Sequence, residues 1–195
     1  MQIYLIRHGE STSDIENRYG GDYDDHLTEK GKEQAEALAK KLTDKKIEII
    51  FRSPYLRAAE TATILKNTLD TPIKTIQDLR ERNNYGFLTG INKGEAIQKH
   101  PKEIELLKDY RNAIKDAETY AHFKKRVMRT WRKITTMDHN TIAIITHGGP
   151  IRCILREIIK VGELTHLGDC AILELEKQGG KFSLVKIENM ELKHK

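Results

Sequence analysis

Three short stretches of the chain are nearly unbroken aliphatic runs: "QIYLI" (Gln2 to Ile6), "IEIIF" (Ile47 to Phe51) and "TIAIIT" (Thr141 to Thr146). Runs of this length and continuity read as strands covered on both faces, the habit of a parallel sheet. Between the first two, "LTEKGKEQAEALAKKL" carries Ala35, Leu38, Ala39 and Leu42 at helical spacing, which gives a strand, helix, strand unit. In "RSPYLRAAETATILKNTL", Ser53 followed by Pro54 is expected to act as an N-cap and first-turn proline of a second helix. A third, shorter strand is expected at "PIKTI", Pro72 to Ile76.

From Arg80 to about Asp138 the pattern changes. A loop rich in Asn and Gly leads into helical stretches at "GEAIQKH", "EIELLKDYRNAI" and "ETYAHFKKRVMRTWRKI". This segment, about 80–138, is expected to be a helical insertion over one edge of the sheet, covering the functional site. The chain ends in two alternating runs, "AILELEKQGGKFSLVKI", joined through Gly179 and Gly180, a β-hairpin signal. The expected fold class is α/β: a three-layer α/β/α sandwich around a mostly parallel sheet with an antiparallel C-terminal strand. A length of 195 residues suits one domain, 1–195.

Composition narrows the partners. With 32% charged and 38% hydrophobic residues, the chain reads as a globular protein without a segment long enough to span a bilayer. It is expected to be cytoplasmic, with no membrane partner, and to act as a monomer or homodimer. Cys153 and Cys170, the two cysteines, show no C-x-x-C spacing and read as free thiols, Cys153 buried and inert. The net charge of +5 raises the question of nucleic acid, most of all at "KKRVMRTWRK", Lys124 to Lys133. There Phe123, Val127, Trp131 and Ile134 fall at helical spacing, so the cations read as the solvated face of an amphipathic helix. No nucleic-acid partner is expected, since no stacking platform accompanies them. His100, His122, His139, His166 and His194 are expected at the surface.

Ligands of open α/β sheets sit beyond the C-terminal ends of the strands, so the residues just past each expected strand carry the chemistry. After the first come Arg7, His8 and Gly9. After the second come Arg52, Ser53, Pro54 and, one helical turn on, Arg57. After "TIAIIT" come His147, Gly148 and Gly149. Two histidines and two or three arginines thus converge on one edge, and the helix starts at Pro54 and near Pro150 favour an anion there. Arginine's fork matches phosphoryl oxygens, and a neutral imidazole nitrogen can attack phosphorus. No H-x-H or H-x-x-x-H pair suggests a metal, and none is expected. Glu81, in "LRERNNYGFLTG", is the expected general acid for a leaving alkoxide. Glu10 is its competitor, and Asp169, just before "AILEL", is a weaker candidate for reaching the pocket.

The ordered motifs are recognisable. "LIRHGES" resembles the signature of the histidine phosphatase superfamily, the phosphoglycerate mutase-like family. "DHLTEKGKEQA", "SPYLRAAETA", "LRERNNYGFLTGINKGEA" and "ITHGGPIR" resemble four further segments of that family, in register from about Ile3 to Arg152. The resemblance implies a sheet with helices on both sides and a phosphohistidine mechanism without metal. His8 would be the nucleophile, Arg7, Arg57 and His147 would hold the transferring phosphoryl oxygens, and Glu81 would protonate the leaving oxygen and then activate water. Ser11, Asp14, Gly20, Gly21 and Gly148 are candidate substrate-binding residues. The sequence departs from the family at Asp14, where Asn is usual, and at His26, where Pro is usual. The spacing from Glu81 to Gly86 is also one residue longer.

"YGFLTGINK" resembles the mutase branch, whose matching Tyr and Lys contact a carboxylated substrate, so Tyr85 and Lys93 are binding candidates too. The paired arginines that mutases carry soon afterwards are missing, with only Arg111 in "LKDYRNAIKD", and the chain is short for that branch. The expected function is therefore a metal-independent phosphomonoester hydrolase acting on a small phosphorylated metabolite. One alternative is a phosphoglycerate mutase, the single case requiring bisphosphoglycerate as cofactor. The other is a phosphate-binding regulatory protein without turnover.

Overall fold

The structure, a computed structural model, describes residues 1–193; the expectation for His194 lies outside the described residues. Its strands are β1 (Gln2–Arg7), β2 (Ile49–Arg52), β3 (Ile73–Thr75), β4 (Thr141–Thr146), β5 (Glu163–Gln178) and β6 (Lys181–Lys193). Its helices are α1 (Thr12–Ile15), α2 (Glu29–Leu42), α3 (Leu56–Leu69), α4 (Lys93–Lys99), α5 (Pro101–Leu107), α6 (Tyr120–Thr135) and α7 (Gly148–Ile154). A π-helical turn at Leu155–Ile159 extends α7.

The strands form one sheet in the order β3-β2-β4-β1-β5-β6. The first four run parallel, whereas β5 is antiparallel to β1 and β6 antiparallel to β5. Side chains alternate across the sheet, which sorts the core into two layers. Tyr4, Ile6, Ile50, Ala143 and Ile145 face α2 and α3. Ile3, Leu5, Phe51, Ile142 and Ile144 face α6 and α7. The three-layer α/β sandwich is thus the observed fold. Between β5 and β6 the chain reverses through Gly179 and Gly180, whose φ values of 55° and 80° suit a two-residue primed turn.

Several local expectations shift. Ser53 and Pro54 lie outside the helix they were expected to start: the Ser53 hydroxyl accepts from Tyr55 N, making a turn, and Tyr55 is the N-cap of α3. Strand β2 begins at Ile49 rather than Ile47, and α5 stops at Leu107 instead of running through "KDYRNAI". The segment expected over one sheet edge contributes α6 to a full face of the sheet, because Phe123, Val127, Trp131 and Ile134 bury against strand residues. One of the cations on that helix, Arg126, is buried as well. The C-terminal hairpin starts at Glu163, well before "AILEL". Of the histidines expected at the surface, His122 and His166 are exposed while His100 and His139 are half-buried. Among the described residues no helix is long and apolar enough to cross a membrane.

Candidate active site

Strand register brings the site together. β1 and β4 pair in parallel from Gln2 with Thr141 to Arg7 with Thr146, so His8 and His147 leave neighbouring strands at the same level. β2 pairs Arg52 with Ile145, which delivers Ser53 to that level and α3 just behind it. A bulge in β5, where the register slips between Leu167 and Ile172, bends the strand toward Arg7. Bulges commonly redirect side chains beside functional sites.

The partners of His8 define its tautomer. Its Nδ1–H donates to the Gly9 carbonyl at 2.7 Å, since a carbonyl only accepts. Its Nε2 lone pair accepts from Arg57 Nε at 3.2 Å. Burial, then the charges of Arg57 and Arg7, holds its pKa well below the ordinary histidine value. His8 is therefore a neutral imidazole with Nε2 as its basic atom.

The surrounding cations are braced by carboxylates. Arg57, buried in the first turn of α3, pairs with Asp25 Oδ1 at 2.6 Å and donates to the carbonyls of Tyr23 and Gly21. Asp25 also accepts from Ser13 N at 3.0 Å. Arg7 donates to Leu167 O at 2.9 Å and pairs with Asp169 at 3.1 Å and, more loosely, with Asp14 at 3.5 Å. Asp14 is itself turned back on the start of α1, where Oδ2 accepts from the Ser11 amide and hydroxyl at 3.0 and 2.9 Å. Its charge is thus matched by Arg7.

His147 is fully buried, its ring centroid 5.0 Å from that of His8. Its Nε2 shares a 2.6 Å hydrogen bond with Ser53 Oγ, and its Nδ1 has no partner among the described residues. Burial, then Arg57, His8 and Arg7, holds its pKa well below the usual value too.

Glu81 sits on the first turn of α7. Its two oxygens accept from Gly149 N at 3.1 and 3.0 Å, and Oε1 also accepts from Arg82 N at 2.7 Å. Only glycine permits this, for a Cβ on residue 149 would lie 2.1 Å from Glu81 Oε1. Glu10 is turned elsewhere, accepting from Thr28 and Lys30 at the start of α2.

These groups border a cavity of about 390 Å³. Arg7, His8, Ser11, Asp14, Gly20 and Gly21 line it, as do Arg57, Glu81, Tyr85, Lys93 and Gly148. Of the expected site residues only His147 does not; it lies behind His8. Burial, then Glu81 and Tyr19, pushes the Tyr85 phenol up to about 12, so it stays a protonated donor. Arg52 is diverted to the carbonyls of Ser53 and Pro54. Cys153 is buried, and burial pushes its thiol up to about 11.

Sequence reasoning missed Asp25, the buried counter-ion of Arg57, although it lies in the quoted "DHLTEKGKEQA" segment. It also missed the far wall of the cavity, made by Tyr110, Tyr120 and Phe123 with Arg152 and Arg156. The four-residue spacing of the two arginines signals one helix face; nothing local marks the tyrosines. The Arg156 guanidinium lies 3.7 Å from the centroid of the Tyr110 ring and donates to Tyr120 Oη.

A doubly covered sheet with two buried histidines and two carboxylate-braced arginines at its carboxyl edge makes an α/β protein with a cationic pocket at its strand ends. The chain belongs to the histidine phosphatase superfamily (branch 1), whose sequence profile matches residues 3–190. A Hydrogenobacter thermophilus protein provisionally named phosphoserine phosphatase 2 is 26% identical, covering 97% of this chain and 96% of the relative. The 2,3-bisphosphoglycerate-dependent phosphoglycerate mutase 2 of Gloeobacter violaceus is 28% identical over 94% of this chain and 89% of its own length. The crystal structure of the alpha-ribazole phosphatase from Shigella flexneri shares the fold with a TM-score of 0.84, covering 97% of this chain and 96% of that one at 24% identity. The superfamily's enzymes are phosphatases or phosphoglycerate mutases.

Proposed function

We propose that the protein is a metal-independent phosphomonoester hydrolase that works through a phosphohistidine on His8. The observation that carries this reading is the fixed tautomer of His8: a neutral ring with a buried, basic Nε2 beside Arg57 and Arg7. In the first step Nε2 attacks phosphorus, the ester P–O bond breaks, and Glu81 gives a proton to the departing oxygen. In the second, Glu81 takes a proton from water, whose oxygen displaces His8 and releases phosphate. Arg7 and Arg57 face the phosphoryl oxygens from two sides, and His147 backs the His8 ring. Preorganised donors of this kind stabilise charge that develops in transfer.

Hydrolysis is favoured over mutase chemistry by the position of Arg111. This is the one arginine where mutases carry a pair, and it is exposed, forked on Asp109 and away from the cavity. Tyr85 and Lys93 do line the cavity and keep the mutase as the second reading. We place the enzyme in the cytoplasm as a monomer or homodimer acting on a small phosphorylated metabolite.

The test is phosphate release in the presence of a strong chelator over sugar phosphates, phosphoserine, nucleotides and phosphoglycerates, with a coupled mutase assay run with and without bisphosphoglycerate. Chelator-resistant phosphate release, with an acid-labile phosphoenzyme trapped on quenching, is expected. Bisphosphoglycerate-dependent isomerisation without net phosphate release would establish the mutase, and phosphate binding without turnover the regulatory alternative.

A further inference from the structure

The helix face that reads as basic and solvated hides one cation that does other work. Arg126 lies in the buried arc of α6 beside Val127 and is 3% exposed. Its Nη1 donates to the main-chain oxygens of Asp78 and Arg80, both at 2.9 Å. Nη2 donates to the main-chain oxygen of Glu81 at 2.9 Å and to Glu118 Oε2 at 2.7 Å, while Nε donates to Glu118 Oε1 at 2.8 Å. One guanidinium thus grips the peptide that carries Glu81 at three carbonyls and is gripped in turn by a carboxylate.

A second buried guanidinium works from the other side. Arg82 is 5% exposed and donates to the main-chain oxygens of Tyr110, Asn112 and Glu118. Both guanidiniums lie over the Phe123 ring, at 4.9 Å for Arg126 and 5.9 Å for Arg82. Glu81 is therefore suspended between two anchored segments, and its carboxylate reaches Gly149 N from that frame.

Stability is a weak reason for such an arrangement, because apolar residues of like volume often replace buried ion pairs without loss. What a guanidinium supplies that an apolar group cannot is direction, since its planar fork fixes several acceptors at once. All of its main-chain acceptors on this side belong to residues 78, 80 and 81.

We propose that Arg126 is a positioning residue for Glu81, fixing the main chain at 78–81 so that the carboxylate meets the leaving oxygen. This rests on Glu81 being the proton donor. Misplacing a reacting group by about 1 Å costs on the order of 10²-fold, but only where the proton matters. An alkoxide leaves with a proton from the enzyme; a nitrophenolate leaves without one.

The experiment uses the full chain with Arg126→Gln, Arg126→Lys and Glu81→Gln, assayed on glycerol 3-phosphate and 4-nitrophenyl phosphate. Arg126→Gln is expected to lose at least about tenfold more kcat on glycerol 3-phosphate than on the nitrophenyl ester, and Arg126→Lys an intermediate amount. A general loss of fold lowers both rates together and is read separately by circular dichroism; in a folded variant, parallel loss, or no loss, overturns the proposal. Should Arg126→Gln fail to fold, Glu118→Gln keeps an acceptor for Arg126 but removes its charge. The same selective loss, smaller, supports the proposal, and unselective kinetics overturn it. If Glu81→Gln is selective and the Arg126 variants are not, the positioning role alone falls. If Glu81→Gln is itself unselective, the proton-donor reading falls and takes this one with it.

Discussion

The half of the cavity that grows from strand ends and the half that grows from residues 80–135 hold their side chains by different means. At the strand ends the sheet does the positioning: β1 and β4 march in parallel register, and His8 N still bonds Thr146 O at 3.1 Å one residue past the strand. His8, Arg57 and His147 are each at most 4% exposed there. In the other half no sheet is present, and Glu81 is placed by two buried arginines, a helix start and a glycine. The sheet fixes backbone positions through a repeating ladder, so a few residues suffice. The loop has no ladder and depends on dedicated side chains, Arg126 and Arg82, each of which holds three main-chain carbonyls.

Breaking the strand-end half should have the largest effect. His8→Ala removes the imidazole nitrogen that faces the cavity, and hydrolysis of any phosphomonoester is expected to fall on the order of 10⁴-fold or more. The circular dichroism spectrum should change little, because the ring contributes no strand hydrogen bond. Retained turnover would sink the phosphohistidine mechanism.

Next in size is the brace behind Arg57. Asp25→Ala leaves a buried guanidinium without its counter-charge, a loss that typically costs ~3–5 kcal/mol, readable in urea denaturation. Burial by itself would raise the Asp25 pKa, but the Arg57 charge and the bonds from Ser13 and Ser11 outweigh it and hold it below the usual carboxylate value. A depressed folded value means the stabilisation is present above about pH 4, the unfolded carboxylate value, and drains away as pH falls through the lower folded value. The wild type should therefore lose stability on acidification in this range and the variant less; equal acid sensitivity would show that the pair is not the source.

The same half of the site should resist protonation. Burial and the neighbouring arginines hold both histidines well below the ordinary histidine value, so they take up a proton only at lower pH than a solvated imidazole does. NMR titration should show the two ring signals without a midpoint near 6.5. Because the unfolded chain takes up these protons and the folded one does not, each histidine contributes stability above about pH 6.5 that declines as pH falls below it. A midpoint near 6.5 for His8 would remove the argument for a neutral nucleophile.

This contrast also explains what could be read from the sequence. Aliphatic runs with sharp ends reveal strands, and strand ends reveal His8, Arg57 and His147, since a parallel sheet sends all its carboxyl ends to one edge. Asp25 was invisible because it pairs with Arg57 across the fold, 32 residues away in sequence. Arg126 was misread because the helical pattern counts any arginine as polar and outward. Its place is set by acceptors at residues 78–81 and 118, which no periodicity of α6 records. The interruption of β5 at Asp169 was equally hidden: glycine within a strand often marks a bulge, but the alternating pattern starts only at Ala171, so Gly168 had no strand to interrupt. Yet Cys170 has φ 51° and its N–H bonds His8 O, which brings the Asp169 carboxylate to Arg7.

The smallest effect is expected at Asp14, on the strand-end side, whose partners are Ser11 and Arg7. It stands at the rim with its side chain 39% exposed, and its 3.5 Å contact with Arg7 is of the loose, solvated kind that contributes at most about 1 kcal/mol. Its firmer bonds, from the Ser11 amide and hydroxyl to Oδ2, need an oxygen but not a charge. Asn at this position keeps that oxygen and gives Arg7 back to an incoming phosphoryl group. Asp14→Asn is therefore expected to tighten inorganic phosphate binding by roughly threefold at low salt, with the gain fading as salt screens the exposed charge. Calorimetric titration at two salt concentrations measures both. Weaker phosphate binding in the variant would mean that the carboxylate orients Arg7 toward the anion rather than competing with it.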